Sequence, residues 1–287
     1  EGAELILPST VYLRGTRNVF EGQLTGIIDL YLYFGSFSQF SSTANTAYLH
    51  NGTYYDVTLP GNFTFGTVTV RRGSEMEFRR VTTDLNLNVA FFNIKYGGLV
   101  LMNHAKIFSG SGYIEATGLL SLDARGPGGL EEYMGPSPGV TVNGIASGGG
   151  HGGEGGGNHT MLDNDLPVHL APKGGEPHGS LYTPTEFGSG GGHGIGGRNV
   201  STGGRGGGRL FWDSAVFLEV DGTISCRGGN GTGQNSGGGS GGSIWIQTTN
   251  FTGHGELAVN GGHGRKLGYD GAGGRVAVHA DWRYKFG

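Results

Sequence analysis

The sequence predicts an all-β fold, a parallel β-helix (solenoid) with a long glycine-rich insertion. The first observation is a pattern with a two-residue period, the period of a β-strand, which recurs in five segments. The second is the glycine content: 63 of the 287 residues are glycine, about three times the usual share. The third is that no stretch of ten or more residues carries the 3.6-residue period of an amphipathic helix. We therefore expect little helix.

The repeated pattern places apolar residues two apart on both sides of a central glycine or serine. It is clearest in FLEVDGTISCRGGNG (217–231) and FTGHGELAVNGGHG (251–264). Alternate residues of a strand point to one face of the sheet, so each copy predicts one inward-facing set. The five sets are Val70, Arg72, Ser74, Met76 and Phe78; Ile94, Tyr96, Gly98, Val100 and Met102; Ile114, Ala116, Gly118, Leu120 and Leu122; Leu218, Val220, Gly222, Ile224 and Cys226; and Phe251, Gly253, Gly255, Leu257 and Val259.

The spacing of the central residues predicts stacked turns of chain. These residues stand at 74, 98, 118, 222 and 255, so the first two intervals are 24 and 20 residues. Repeats of about 20 to 50 residues are typical of solenoids, in which each strand pairs with its equivalent one turn away. The central glycine has no Cβ and therefore favours a bend between two short strands.

Most of the glycine lies between the third and fourth copies, in residues 127–210. Runs such as SGGGHGGEGGGN (147–158) and GSGGGHGIGGRN (188–199) fill this part. Their composition is that of a disordered insertion, whereas the apolar residues between them favour a compact excursion packed on the coil. In the ordered case, extended glycine segments would lie side by side, because polyproline II repeats every three residues and leaves its backbone groups free to bond neighbours.

These patterns divide the chain into four parts. Residues 1–60 form an N-terminal β segment, which is either the opening turns of the coil or a small β subdomain packed on its end. Residues 61–126 and 211–287 form β-helix turns, and 127–210 form the glycine-rich excursion between them. The last expected strand is 275–280, and an open strand edge there would invite pairing with another chain.

Six N-glycosylation sequons predict a secreted glycoprotein with an extracellular or cell-surface location. The acceptors are Asn51, Asn62, Asn158, Asn199, Asn230 and Asn250. The single cysteine, Cys226, belongs to an apolar set, so we expect a buried thiol that forms no disulfide within the chain. The formal net charge is −4 without a basic run, and no apolar run reaches the ~18 residues of a membrane span. Nucleic acid partners and a membrane span are therefore not expected.

Several glycine-rich blocks resemble a known class of protein. They are GGGSGGSIWI (237–246), FTGHG (251–255), VNGG (259–262) and GAGGRVAV (271–278), with LDARG (122–126) and TPTEFGSGGG (183–192) upstream. In this order, over residues 97–280, they are similar to a glycine-rich segment of very large predicted extracellular proteins. The resemblance implies a β-helix-like architecture and an adhesive or structural role, and it brings no catalytic residues.

The ionisable residues form no recognisable catalytic or metal-binding motif. The histidines of the excursion, such as His151 and His178, lack the compact spacing of metal ligands. Asp123, Asp213 and Asp221 are candidate acids, but their spacing fixes no pair of carboxylates of the kind that cleaves a polysaccharide. We therefore expect no catalytic residues, no metal and no cofactor.

These features predict a structural or adhesive module that assembles with itself, into filaments or an extracellular matrix. Its expected partners are copies of itself in head-to-tail contact or neighbouring extracellular domains, together with covalent N-glycans. One alternative is a glycan-binding module that uses aromatic residues such as Trp212, Trp245 and Trp282. Of these, Trp245 would point away from the face shared by its two isoleucine neighbours. The other alternative is a polysaccharide lyase or hydrolase, which needs a groove with two carboxylates about 5–10 Å apart.

Overall fold

The protein is all-β, and most of its strands are parallel. The computed structural model describes residues 5–6, 10–14, 18–19, 24–25, 29–33, 37–38, 46–49, 62–70, 75–77, 85–129, 133–157, 172–196 and 199–283. Every regular element in these residues is a β-strand and none is a helix, which confirms the expectation of little helix.

The larger sheet, here called the long sheet, has nine parallel strands that pair in chain order. Three of them come from the N-terminal 60 residues, so that segment contributes to the same sheet as the later strands. The predicted strand at 54–57 lies outside the described residues. The nine strands are β2 (Thr10–Arg14), β5 (Asp29–Tyr33), β7 (Thr46–Leu49), β8 (Asn62–Val70), β10 (Leu85–Ile94), β12 (His104–Ile114), β18 (Arg209–Val220), β20 (Ser243–Thr252) and β22 (Arg275–Arg283).

The second sheet, here called the short sheet, consists of the second halves of the five repeated segments. Each strand begins one residue after a central glycine or serine, and the five strands pair in parallel and in chain order. The five copies therefore lie in adjacent layers. The strands are β9 (Glu75–Glu77), β11 (Leu99–Leu101), β13 (Leu119–Ser121), β19 (Thr223–Ser225) and β21 (Glu256–Ala258).

Four two-stranded sheets complete the described elements. Two are parallel pairs near the N-terminus, and two are antiparallel pairs within the glycine-rich excursion. They are β1 (Leu5–Ile6) with β4 (Leu24–Thr25), β3 (Asn18–Val19) with β6 (Phe37–Ser38), β14 (Thr141–Val142) with β15 (Ile145–Ala146), and β16 (Gly194–Gly196) with β17 (Asn199–Ser201).

Inward residues of the two sheets form one core cluster. The long sheet contributes residues such as Leu87 and Ile246, and the short sheet contributes Leu120 and Ile224, each with no exposed surface. Cys226 is buried in the same cluster, which confirms the expected buried thiol. Burial raises the pKa of this thiol well above its usual range, so it stays protonated and unreactive.

The predicted inward sets are wrong at Tyr96 and Ala116. Aligning the copies on their central glycines pairs these residues with Val220, but in the structure Val220 pairs with Ile114. The physical reason is the length of the bend between the sheets, which holds four residues at 115–118 but two at 221–222. Tyr96 therefore lies in the bend, where its side chain is 51% exposed, and Ala116 is exposed at the equivalent position.

A segment of seven residues, 236–242, runs through the glycine-rich layer without forming a strand. Its N–H groups donate to three other segments in rotation, so that every third residue bonds the same neighbour. Residues 237 and 240 donate to 189–192, 238 and 241 to 269–272, and 239 and 242 to 226–229, with N···O distances of 2.7–3.0 Å. A three-residue period is that of a polyproline II helix.

The carbonyl groups of 236–242 accept hydrogen bonds from three further segments. The donors are Gly204 and Gly207, Gly149 and the ring of His151, and Gly262. The segment therefore has six neighbours, three that accept from it and three that donate to it. The described parts of the excursion and of the C-terminal region form one hydrogen-bonded layer, while residues 158–171 of the excursion lie outside the described part.

Side chains do not fit between these segments. A Cβ built on Gly239 would lie 2.0 Å from the carbonyl oxygen of Arg205, a contact that real Cβ atoms essentially never make. Glycine is therefore required at this position by the close approach of two backbones. Ser240 is a buried exception, because its hydroxyl accepts from the Ser189 N–H at 2.7 Å and donates to the Gly150 carbonyl at 3.1 Å.

Candidate functional site

The outer face of the long sheet carries a continuous row of residues, one from each of five adjacent strands. Strand alternation sends Leu210 and Trp212 inward from β18, so Asp213 points outward. The same alternation in β20 buries Ile244 and Ile246 and sends Gln247 outward. Strand register then aligns the five residues of the row: Asn88, Phe108, Asp213, Gln247 and His279.

A trough runs beside this row, across the same strands. One half, with a volume of about 480 Å³, is lined by residues that include Asp213, Gln247 and His279. The other half, of about 450 Å³, includes Asn88 and Phe108, and it shares Asp213 and Ala215 with the first. Small residues line the trough where the strands bulge, at 109–111 of β12 and 214–217 of β18. They include Ala90, Gly110, Ala215 and Thr249.

Aromatic rings form a ladder across four strands at the same place. Phe108 lies 5.8 Å from Phe211, Phe211 lies 4.5 Å from Trp245, and Trp245 lies 6.3 Å from His279, measured between ring centroids. Trp245 is half-buried on the outer face, away from Ile244 and Ile246 as expected. Its Nε1 is buried and has no hydrogen-bond partner among the described residues.

The prediction that Trp212 belongs to a sugar-binding surface is wrong. Its side chain is fully buried in the core, where Nε1 donates to the Ser109 hydroxyl at 3.0 Å and the ring meets Phe92 edge-on at 5.4 Å. Gly112 provides the room, since a Cβ there would lie 2.5 Å from the indole. The side chain of Trp282 lies outside the described residues.

Two histidines of the excursion stack on each other beneath the glycine layer. The rings of His151 and His178 lie 4.7 Å apart, and Nδ1 of His151 donates to the Gly241 carbonyl at 2.7 Å. Ser243 Oγ lies 3.4 Å from Nε2 of His151, but it donates to the Glu186 carbonyl at 2.6 Å. Burial lowers the pKa of His151 to about 4. The pair is therefore a neutral packing element, because the serine hydroxyl is committed to a carbonyl.

The candidate acids lie apart and make different contacts. Asp123 Oδ1 accepts from the Arg227 N–H at 2.6 Å and from the Ser225 hydroxyl. Asp221 lies in the bend after β18 and accepts from the His254 N–H at 3.1 Å. Asp213 alone of the three lines the trough, together with Asp281. These two come from strands on either side of β20, which lie roughly 10 Å apart.

Two of the six glycosylation acceptors have described side chains. Asn230 is exposed, and its Oδ1 accepts from the His263 N–H at 2.8 Å. Asn250 lies in β20, where its Nδ2 is 3.4 Å from the Val216 carbonyl. Asn62 begins β8 and Asn199 begins β17, whereas the remaining two acceptors, Asn51 and Asn158, lie outside the described residues.

The described residues bring together no group of three histidine, cysteine, aspartate or glutamate side chains that could hold a metal ion. They also contain no helix long and apolar enough to cross a membrane. Comparison with known proteins finds no matching family model, no matching curated protein and no matching solved structure. The resemblance to glycine-rich extracellular segments therefore stays a prediction.

Proposed function

We propose that this chain is a secreted, N-glycosylated and non-enzymatic β-solenoid module with a structural or adhesive role, and that it assembles end to end with copies of itself. The solenoid interpretation is supported by the order of strands. From β8 to β13, and again from β18 to β22, the chain alternates between the long and short sheets, and each strand pairs with its equivalent one turn away. The glycine layer adds a second set of stacked segments beside the sheets.

The observation that carries the assembly proposal is the apolar end of the coil at β21 and β22. Ile246 on β20 is fully buried, whereas Val278, which pairs with it on β22, is only partly buried. Ile224 on β19 and Leu257 on β21 differ in the same way. Core rows are therefore left partly uncovered at this end.

A second copy of the chain fits this end better than solvent does. Among the described residues, no strand pairs with the far side of β21 or β22, so their edges offer backbone groups to another strand. Parallel pairing would place the first turn of a second copy on the last turn of the first. Such a head-to-tail contact does not close on itself, so repetition produces a filament. The sequons support the secreted location in which a filament or matrix would form.

The proposal is tested by sedimentation velocity and electron microscopy on protein secreted from eukaryotic cells. We expect rods or filaments whose length grows with protein concentration. The variant Val278→Lys places a charge on the uncovered core row and should shift the population to monomer. The matched control His254→Lys changes a side chain that is 79% exposed in the bend before β21 and should leave assembly unchanged. A monodisperse monomer at every concentration, or equal assembly of the two variants, would contradict the proposal.

A further inference from the structure

We propose that the trough on the outer face of the long sheet binds a linear, neutral polysaccharide that lies across strands β10 to β22. This inference goes beyond the proposed assembly, because it concerns the side of the coil and not its end. It also does not depend on assembly, since all lining residues belong to one copy of the chain.

The shape of the trough fits an extended polymer. Its two halves meet at Asp213 and Ala215, so the trough continues over five strands without a wall between them. Adjacent strands are about 4.8 Å apart, so five strands span roughly 20 Å along the stacking direction. A compact ligand would occupy only part of this length, whereas a linear chain can contact every strand.

The row beside the trough supplies hydrogen-bonding groups at regular intervals. Asn88, Asp213 and Gln247 project amide or carboxylate groups, and none of the three has a side-chain hydrogen bond to the described residues. His279 adds an exposed imidazole at the end of the row. Hydroxyl groups of a sugar polymer both donate and accept, and they can therefore pair with all four side chains.

Aromatic side chains supply the apolar contact that sugar rings need. Phe211 and Trp245 lie together at 4.5 Å between centroids, and Phe108 stands in the row itself with 38% of its surface exposed. Binding sites for small polar ligands commonly combine aromatic surface with a few polar groups, as this site does. The unpartnered Nε1 of Trp245 is a further donor at the site.

The charge of the trough selects against acidic polymers. Asp213 and Asp281 line it, and none of the described residues that line either half is a lysine or an arginine. Two carboxylates without a compensating cation repel a polyanion at short range. A neutral β-linked glucan chain meets both the hydrogen-bonding and the charge requirements.

The test is calorimetric titration of the full chain with cellohexaose as the neutral probe, and with cellotriose and hexagalacturonate for comparison. We expect saturable binding of cellohexaose, at least tenfold weaker binding of cellotriose, and no binding of hexagalacturonate. Trp245→Ala should weaken cellohexaose binding about tenfold or more, and Gln247→Ala about fivefold. Glu219→Gln is the matched control, because Glu219 lies on β18 and does not line the trough, and it should bind within twofold of the parent protein.

Circular dichroism of each variant separates loss of binding from loss of folding, and Gln247→Ala changes only a half-exposed side chain. Absence of cellohexaose binding at millimolar concentration would overturn the proposal. Equal affinities of Gln247→Ala and Glu219→Gln would overturn the location of the site. Binding of hexagalacturonate in place of cellohexaose would overturn the charge argument. Each result is independent of whether the chain forms filaments.

Discussion

Replacing Gly239 with alanine tests the packing of the glycine layer. The new methyl group would lie 2.0 Å from the Arg205 carbonyl oxygen, whereas ordinary contacts of a Cβ begin at 3.4 Å, so the two segments must separate by about 1.4 Å. That movement disturbs the hydrogen bonds from Gly239 N to Gly229 O at 2.9 Å and from Gly262 N to Gly239 O at 2.8 Å. Overpacking costs about 1–3 kcal/mol and each lost hydrogen bond about 1 kcal/mol, so the free energy of unfolding should fall by roughly 3–5 kcal/mol.

Gly153→Ala is the matched control for this substitution. A Cβ at Gly153 meets no atom within 4 Å. Alanine also restricts the unfolded chain, so this variant should change stability by less than about 1 kcal/mol, in the stabilising direction. Urea unfolding followed by tryptophan fluorescence measures both variants. Equal stability of the two, or a Gly239→Ala protein as stable as the parent, would refute the close packing.

Three further predictions concern buried and exposed polar groups. Because burial lowers the pKa of His151 to about 4, and the unfolded value is about 6.5, the unfolded state takes up a proton first as the pH falls. The stability contribution is therefore complete above pH 6.5 and is lost by about 3 kcal/mol on the way to pH 4. His151→Gln should flatten this decline in urea unfolding, and equal slopes would contradict the assignment. Ser109→Ala leaves Nε1 of Trp212 buried without an acceptor and should lower stability by about 1–3 kcal/mol; an unchanged thermal midpoint would show that the hydrogen bond contributes nothing. Asn230 is exposed and should carry a glycan in protein secreted from eukaryotic cells, so mass spectrometry that finds it unmodified would contradict its use as an acceptor.

The strands of the repeated segments could be predicted from sequence because alternate residues of a strand differ in burial. The register at the bends could not. Ile114 and Ala116 are two residues apart, so both have the same inward parity, and the pattern does not reveal which of them pairs with Val220. The number of residues in each bend decides this, and bend length is independent of the alternation.

The trough was missed for the same reason. Asn88, Phe108, Asp213 and Gln247 form one row, yet they stand 10, 10, 9 and 8 residues before the central glycines of their copies. Different bends and bulges produce these offsets, so an alignment on the glycines does not bring the four residues into one column. Asp213 was among the candidate acids, but its neighbours in the row carried no sequence signal of their own.

Glycine runs indicated the composition of the layer but not its arrangement. Contacts between these segments are backbone hydrogen bonds, such as Gly204 N to Gly237 O and Gly149 N to Gly238 O. Identical glycines give no information about which segment lies beside which. The position of Trp212 was mispredicted for a related reason: its burial depends on Gly112 of a neighbouring strand, 100 residues earlier in the chain.

Residue-resolved hydrogen exchange of the backbone amides is the most direct test of the central claim, that glycine segments without strand structure form an ordered, hydrogen-bonded layer. Segment 236–242 has six neighbours, and the N–H groups of residues 237–242 are all bonded. The account predicts that amides 237–242 exchange as slowly as those of the central strand β20. Exchange of these amides at the rate of an unstructured peptide, while β20 stays protected, would contradict it.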